Sequence, residues 1–99
     1  MKLKNKVALV SGGNKGIGRA IVKELINEGA KVAFTYNKDA SSANNLVKEF
    51  KDKDILSLQL DVRDFEAAKK AVEAAKEKFG GLDILVNNAG IVKDNLLMF

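Results

Sequence analysis

The chain has 99 residues, a formal net charge of +4, 46% hydrophobic and 30% charged residues, and neither Cys nor His. That length allows one small domain. The missing Cys excludes a disulfide framework, thiol catalysis and a cysteine metal site, and the missing His removes the usual general base and the commonest zinc ligand.

Fifteen Lys and two Arg are interleaved with acids along the chain. This reads as a solvated surface rather than a nucleic-acid patch, and one Tyr with five scattered Phe gives no stacking platform. No apolar stretch approaches the roughly 18 residues of a membrane span. The Lys-rich N-terminus leads into an apolar run too short for a signal sequence. A reducing cytoplasm is the expected setting.

Val7-Ala8-Leu9-Val10 is a near-continuous apolar run, the mark of a strand covered on both faces. After the glycine-rich stretch that follows it, Ile17, Ala20, Ile21 and Leu25 share one helical face, and Gly29 closes that helix just past its end. Lys31–Tyr36 reads as a second strand. Ala43, Leu46, Val47 and Phe50 follow the spacing i, i+3, i+4, i+7 of a second helix. Ile55–Leu60 is a third strand. Phe65, Ala68, Val72, Ala75 and Phe79 recur at helical spacing, with Asp64 as N-cap and Gly80 past the end. A fourth strand covers Asp83–Val86. The apolar stripes are assigned to the core.

The order is therefore βαβαβαβ, with every connection long enough for a helix. Right-handed crossovers then give a parallel sheet. The expected class is α/β: a truncated Rossmann-like, doubly wound sheet of four strands in the order 3-2-1-4 with flanking helices. The switch point lies beside strand 1, where ligands of such sheets bind outside the carboxyl ends of the strands.

Ser11-Gly12-Gly13-Asn14-Lys15-Gly16-Ile17-Gly18-Arg19 sits at that point, with four glycines in seven residues. The spacing Gly12-x-x-x-Gly16-x-Gly18 joins the first strand to the first helix. Gly16 suits close approach of backbone to a pyrophosphate, and Gly18 suits close helix packing. A helix N-terminus there offers unpaired N–H groups and partial positive charge to phosphates. The same stretch also reads as a glycine-rich turn with no ligand. A Walker-type phosphate loop is disfavoured, because no Gly-Lys-Ser/Thr follows at the required place.

NAD binders usually place a carboxylate at the tip of the second strand. Here that strand ends at Tyr36, followed by Asn37 and Lys38. Asp39 lies further on and is read as a helix cap. A 2′-phosphate meets no repulsion at Tyr36, and Lys15 and Lys38 are placed to attract it, or else are two more solvated charges. NADP(H) is therefore expected over NAD(H). Asp61-Val62 follows the third strand, where a carboxylate suits an adenine amino group, or simply a strand-to-helix turn. Asn87-Asn88-Ala89-Gly90 follows the fourth strand, where small residues leave room for a ribose and Asn can bond exposed main chain.

Taken together, Ser11 to Gly18, Asp61-Val62 and Asn87-Asn88-Ala89-Gly90 resemble the short-chain dehydrogenases/reductases in order and spacing, across all 99 residues. Ser11 stands where Thr is usual and keeps the hydroxyl. The tail Gly90 to Met98 is similar to that of the 3-oxoacyl-acyl-carrier-protein reductases of fatty acid synthesis. The resemblance implies that Gly12, Asn14, Lys15 and Ile17 line the cofactor phosphates and ribose. It places Asn37 at the adenosine ribose, Asp61 and Val62 at adenine, and Asn88, Ala89 and Gly90 near the nicotinamide ribose. It also implies hydride transfer between NADPH and a carbonyl, and a substrate carried on acyl carrier protein.

The family's catalytic Tyr-x-x-x-Lys is missing: the only Tyr is Tyr36, with Ala40 four residues on. Residues 1–99 are thus expected to be the N-terminal half of a dinucleotide-binding domain, with no catalytic residue and no metal site. The alternative is a non-catalytic half-fold, natural or engineered, that binds nothing. An apolar edge at Asp83–Val86 and the tail Leu96-Leu97-Met98-Phe99 lead to the expectation of a homo-oligomer.

Overall fold

The computed structural model describes residues 2–61 and 63–88. Strands and helices alternate: β1 (Val7–Ser11), α1 (Gly16–Asn27), β2 (Lys31–Tyr36), α2 (Ala40–Glu49), β3 (Ile55–Gln59), α3 (Phe65–Phe79) and β4 (Ile84–Asn87). All strands pair in parallel, in the order β3-β2-β1-β4. The expected topology is therefore the observed one.

The continuous apolar runs of β1 and β2 follow from helices lying on both faces of the sheet. Successive side chains of a strand point to opposite faces. Ala8, Val10, Val32 and Phe34 pack with Val22 and Ile26 of α1 and Ala43 and Leu46 of α2. Leu9 and Ala33 point the other way, onto Ala71 and Ala75 of α3. Both faces are dry, so neither central strand shows the polar alternation of a half-exposed sheet.

Helix ends follow local chemistry. Asp39 caps α2, accepting from the Ser42 amide at 3.0 Å. Asp64 caps α3, accepting from the amides of Glu66 at 3.0 Å and Ala67 at 3.3 Å. Gly80 closes α3 in the left-handed region with φ 86, donating its amide to the Lys76 carbonyl.

Three expected core residues lie outside the core. Ile17 is 74% exposed and Phe65 is 71% exposed. Each occupies the first turn of its helix, where the Cα–Cβ bond leans toward the N-terminus and carries the side chain beyond the start of the helix. Ala20 is also exposed. The buried row of α1 is instead Gly18, Val22 and Ile26, with Ile21 and Leu25 packed beside it. The row starts at a glycine, so an apolarity count misses its first member. Strand limits also shift: β1 gains Ser11, β3 stops at Gln59, and β4 runs from Ile84 to Asn87. Asp83 precedes β4, and its carboxylate accepts the Val7 amide at 2.9 Å.

Candidate functional site

The loop from β1 to α1 is held from three sides. From β2, the Thr35 hydroxyl accepts the Gly12 amide at 3.1 Å and the Thr35 carbonyl accepts the Gly13 amide at 3.1 Å. After β4, Asn88 Nδ2 donates to the Gly12 carbonyl at 3.3 Å, and the Asn88 amide donates to Ser11 Oγ at 2.9 Å. From α2, Ser42 Oγ donates to the Asn14 carbonyl at 2.6 Å. Gly13 is fixed by sterics, because a Cβ there would lie 2.6 Å from Phe34 Cβ and 2.9 Å from Val22 Cγ2.

These anchors divide the loop's donors into two sets. The Gly12 and Gly13 amides turn inward to Thr35 and are spent there. The amides of Gly16, Ile17 and Gly18 form the first turn of α1, where a helix supplies no acceptor of its own. Lys15 is the N-cap residue and makes no side-chain cap bond. Asp39 and Asp64 cap the other two helices, so α1 alone among the described helices starts without a side-chain cap. Gly16 has φ 56 and faces open space, with nothing within 4 Å of a would-be Cβ. An anion at this point meets outward N–H groups and the positive end of the helix dipole.

Beside that helix start lies a groove of about 500 Å³. It is lined by Gly12, Asn14 and Lys15, by Thr35 to Asp39, and by Leu60, Asp61 and Arg63. Two ion pairs flank it. Lys15 Nζ lies 3.5 Å from Asp39 Oδ2, and Arg63 Nη2 lies 2.8 Å from Asp61 Oδ2. The Arg63 side chain, then its backbone amide, hold the Asp61 carboxyl down at about 2. The Ser42 amide, helped by Lys15, lowers Asp39. In return Asp61 raises Arg63. Lys38 belongs to no ion pair among the described residues.

The groove thus gathers Gly12, Asn14, Lys15, Asn37, Lys38 and Asp61 of the residues singled out from sequence. Gly16, Ile17 and Gly18 stand at the adjoining helix start, and Asn88 lies across the Gly12 carbonyl. Val62, Ala89, Gly90 and the tail Leu96 to Phe99 lie outside the described residues. Asp39 caps its helix as read, and in addition engages Lys15.

Sequence reasoning passed over Thr35, Arg63 and Gly13. Thr35 carried a signal as a hydroxyl in an otherwise apolar, buried strand. Arg63 carried one as one of two arginines, two residues beyond Asp61. Among the described residues no cluster of acids suits a metal ion, and no helix is long and apolar enough to cross a membrane.

A parallel sheet in the order 3-2-1-4, with a glycine-rich loop and an uncapped helix at its switch point, defines a Rossmann-type α/β protein. The model of the short chain dehydrogenase family matches residues 6–98, and the chain belongs to that family. It is 44% identical over 95 residues to the 3-oxoacyl-acyl-carrier-protein reductase FabG of Staphylococcus aureus, covering 94% of this chain and 39% of that protein.

Among solved structures, a short chain dehydrogenase from Burkholderia cenocepacia in complex with NADP superposes with TM-score 0.87 at 45% identity, covering 99% of this chain and 42% of that one. A blue fluorescent protein from a metagenomic library, in complex with NADPH, superposes with TM-score 0.85 at 43% identity, covering 92% and 38%. The chain spans about two fifths of the length of these relatives.

Proposed function

We propose that this chain binds NADP(H) and forms the cofactor-binding part of a short-chain reductase that acts on 3-oxoacyl groups carried by acyl carrier protein. The observation that carries the reading is the start of α1: first-turn amides at Gly16, Ile17 and Gly18 with no side-chain cap, beside a groove with basic side chains. The residues fit a dinucleotide phosphate. Gly16 leaves open space where a diphosphate must approach, and the adjoining groove of about 500 Å³ suits an adenosine. The NADP and NADPH bound to two structural relatives support the same reading.

In this reading the α1 amides hold the diphosphate, and Gly12, Asn14 and Lys15 line it. Asn37 faces the adenosine ribose and Asp61 and Val62 the adenine. Asn88, Ala89 and Gly90 border the nicotinamide ribose. Tyr36 and Asn37 leave no carboxylate at the tip of β2, and Lys38, outside any described ion pair, attracts a 2′-phosphate.

When bound, NADPH supplies a hydride for a carbonyl carbon. The developing oxyanion needs a proton donor within hydrogen-bond reach. These 99 residues contain no Tyr-x-x-x-Lys, so on their own they bind cofactor without reducing substrate. As an isolated cytoplasmic half-domain, such a chain would pair the open edge of β4 with a second copy.

Thermal unfolding with and without cofactor tests this. A ligand that prefers the folded state stabilises it by about 2.7 kcal/mol at 100 times its Kd, a shift of roughly 10–20 °C for a domain this size. NADPH is expected to raise Tm more than NADH does. No shift with either at millimolar concentration overturns the proposal.

A further inference from the structure

Gln59 is exposed at the end of β3, in register with Tyr36 at the end of β2. The Leu60 amide donates to the Tyr36 carbonyl at 3.0 Å. One residue further along, Gln59 Nε2 donates to the Asn37 carbonyl at 3.1 Å. A side chain thus carries the β2–β3 pairing one residue on, into the turn that holds Lys38. The Lys38 carbonyl accepts the Ala40 amide at 3.1 Å, so the peptide on each side of Lys38 is tied.

The Asn37–Lys38 peptide is trans. A trans peptide is planar, and its C=O and N–H point in opposite directions. With the Asn37 carbonyl turned to Gln59, the Lys38 amide points away from Gln59. Asn37 and Lys38 line the groove and Gln59 does not. Among the described residues that amide meets no acceptor. The Asp61 carboxyl is lowered chiefly by Arg63 and also by the Lys38 ammonium, which brings the lysine's charge to the same groove. The Gln59 bond is exposed and satisfies no buried group; what it fixes is the direction of a peptide.

We propose that Gln59 is a positioning residue: by holding the Asn37 carbonyl it turns the Lys38 amide to the groove, so that the amide and the ammonium of one lysine meet one phosphate group, the 2′-phosphate of NADP(H). Gln59 itself touches no part of the cofactor. A turn fixed beforehand in its bound conformation gains affinity because less ordering is left to the binding step. The proposal rests on the reading that NADP(H) occupies the groove.

The test titrates the full chain with NADPH and with NADH, for the wild type and for Gln59→Met, which removes the donor and keeps much of the shape. Gln59→Met should keep its Tm, weaken NADPH by roughly three- to tenfold, up to the scale of one hydrogen bond to a charged group, and leave NADH unchanged. Backbone NMR gives a second readout. In the wild type the Lys38 amide should move with NADPH more than with NADH. In Gln59→Met the NADPH-induced movement at Lys38 should shrink while that at Gly16, Ile17 and Gly18 persists.

Equal weakening toward both nucleotides, or no change toward either, overturns the positioning role and leaves the NADP(H) reading standing. If Gln59→Met fails to fold, the wild-type spectra decide: a Lys38 amide that NADPH leaves unmoved, or that both nucleotides move alike, overturns the proposal. A wild type that binds neither nucleotide defeats both readings.

Discussion

Gly18 at the start of α1 lies so close beneath the Gly12 carbonyl that a Cβ on Gly18 would collide with that oxygen and sit 2.6 Å from Asn88 Nδ2. The contact joins helix, loop and the end of β4 at one point. It sets how near the first-turn amides stand to the sheet's carboxyl rim.

Gly18→Ala is therefore expected to push α1 off the loop. The obstacle is backbone, which cannot swing aside as a side chain can. Overpacking of this kind costs about 1–3 kcal/mol, and the displaced helix should also lose affinity for NADPH. Urea unfolding checks the first effect and cofactor titration the second. A Gly18→Ala midpoint equal to that of the wild type contradicts the packing described.

Thr35 is 2% exposed, and its hydroxyl is the acceptor for the Gly12 amide. Thr35→Val keeps the shape and removes the acceptor. A buried donor left unsatisfied costs about 1–3 kcal/mol. Thr35→Ser keeps the hydroxyl and should lose less. Equilibrium unfolding of the two variants separates the hydrogen bond from the packing, and a valine variant as stable as the serine one would count against the anchor.

The two aspartate caps differ in what stands near them. Among the described residues the Asp64 carboxylate holds only α3 amides, so Asp64→Ala should cost about 1 kcal/mol and leave NADPH affinity unchanged. Asp39 also engages Lys15 beside the groove. Asn caps a helix as well as Asp does, so Asp39→Asn should hold its Tm. It also removes a negative charge and frees Lys15, and should tighten NADPH by about threefold at low salt, an effect that fades as salt rises. Isothermal titration at two ionic strengths reads the difference.

Asp61 sets an acid dependence. Its folded pKa is lowered from 3.8 to about 2, chiefly by the Arg63 side chain. The stabilisation is therefore complete above 3.8 and is lost as pH falls through about 2. Asp39 is shifted in the same direction. Asp61→Asn should flatten the loss of stability across that window. Urea midpoints measured down the acid limb check it, and a limb as steep in the variant as in the wild type would contradict the Arg63 contact.

Sequence carried the sheet order because two central strands without polar alternation leave little choice but a sheet covered on both sides. Asp39, Asp64 and Gly80 were readable as helix ends because capping is local chemistry. Ile17 and Phe65 were misplaced because periodicity records which side of a helix a residue occupies, not whether the sheet extends beneath that turn. Gly13 and Thr35 lay beyond a single-sequence reading for a related reason. Their roles depend on Phe34, Val22 and Gly12, which β1-β2 pairing brings alongside. Asp61 was seen and Arg63 was not, since the ion pair depends on a turn that folds the arginine back two residues.

The account turns on the amides of Gly16, Ile17 and Gly18. Backbone amide shifts of the isotopically labelled chain, followed by NMR during titration with NADPH, examine those groups one by one. The expected result is saturable movement largest at these three amides, with little at Gly12 and Gly13, whose N–H groups already bond Thr35. Saturable binding that leaves residues 16–18 unmoved, or an unchanged spectrum at millimolar NADPH, would contradict the account.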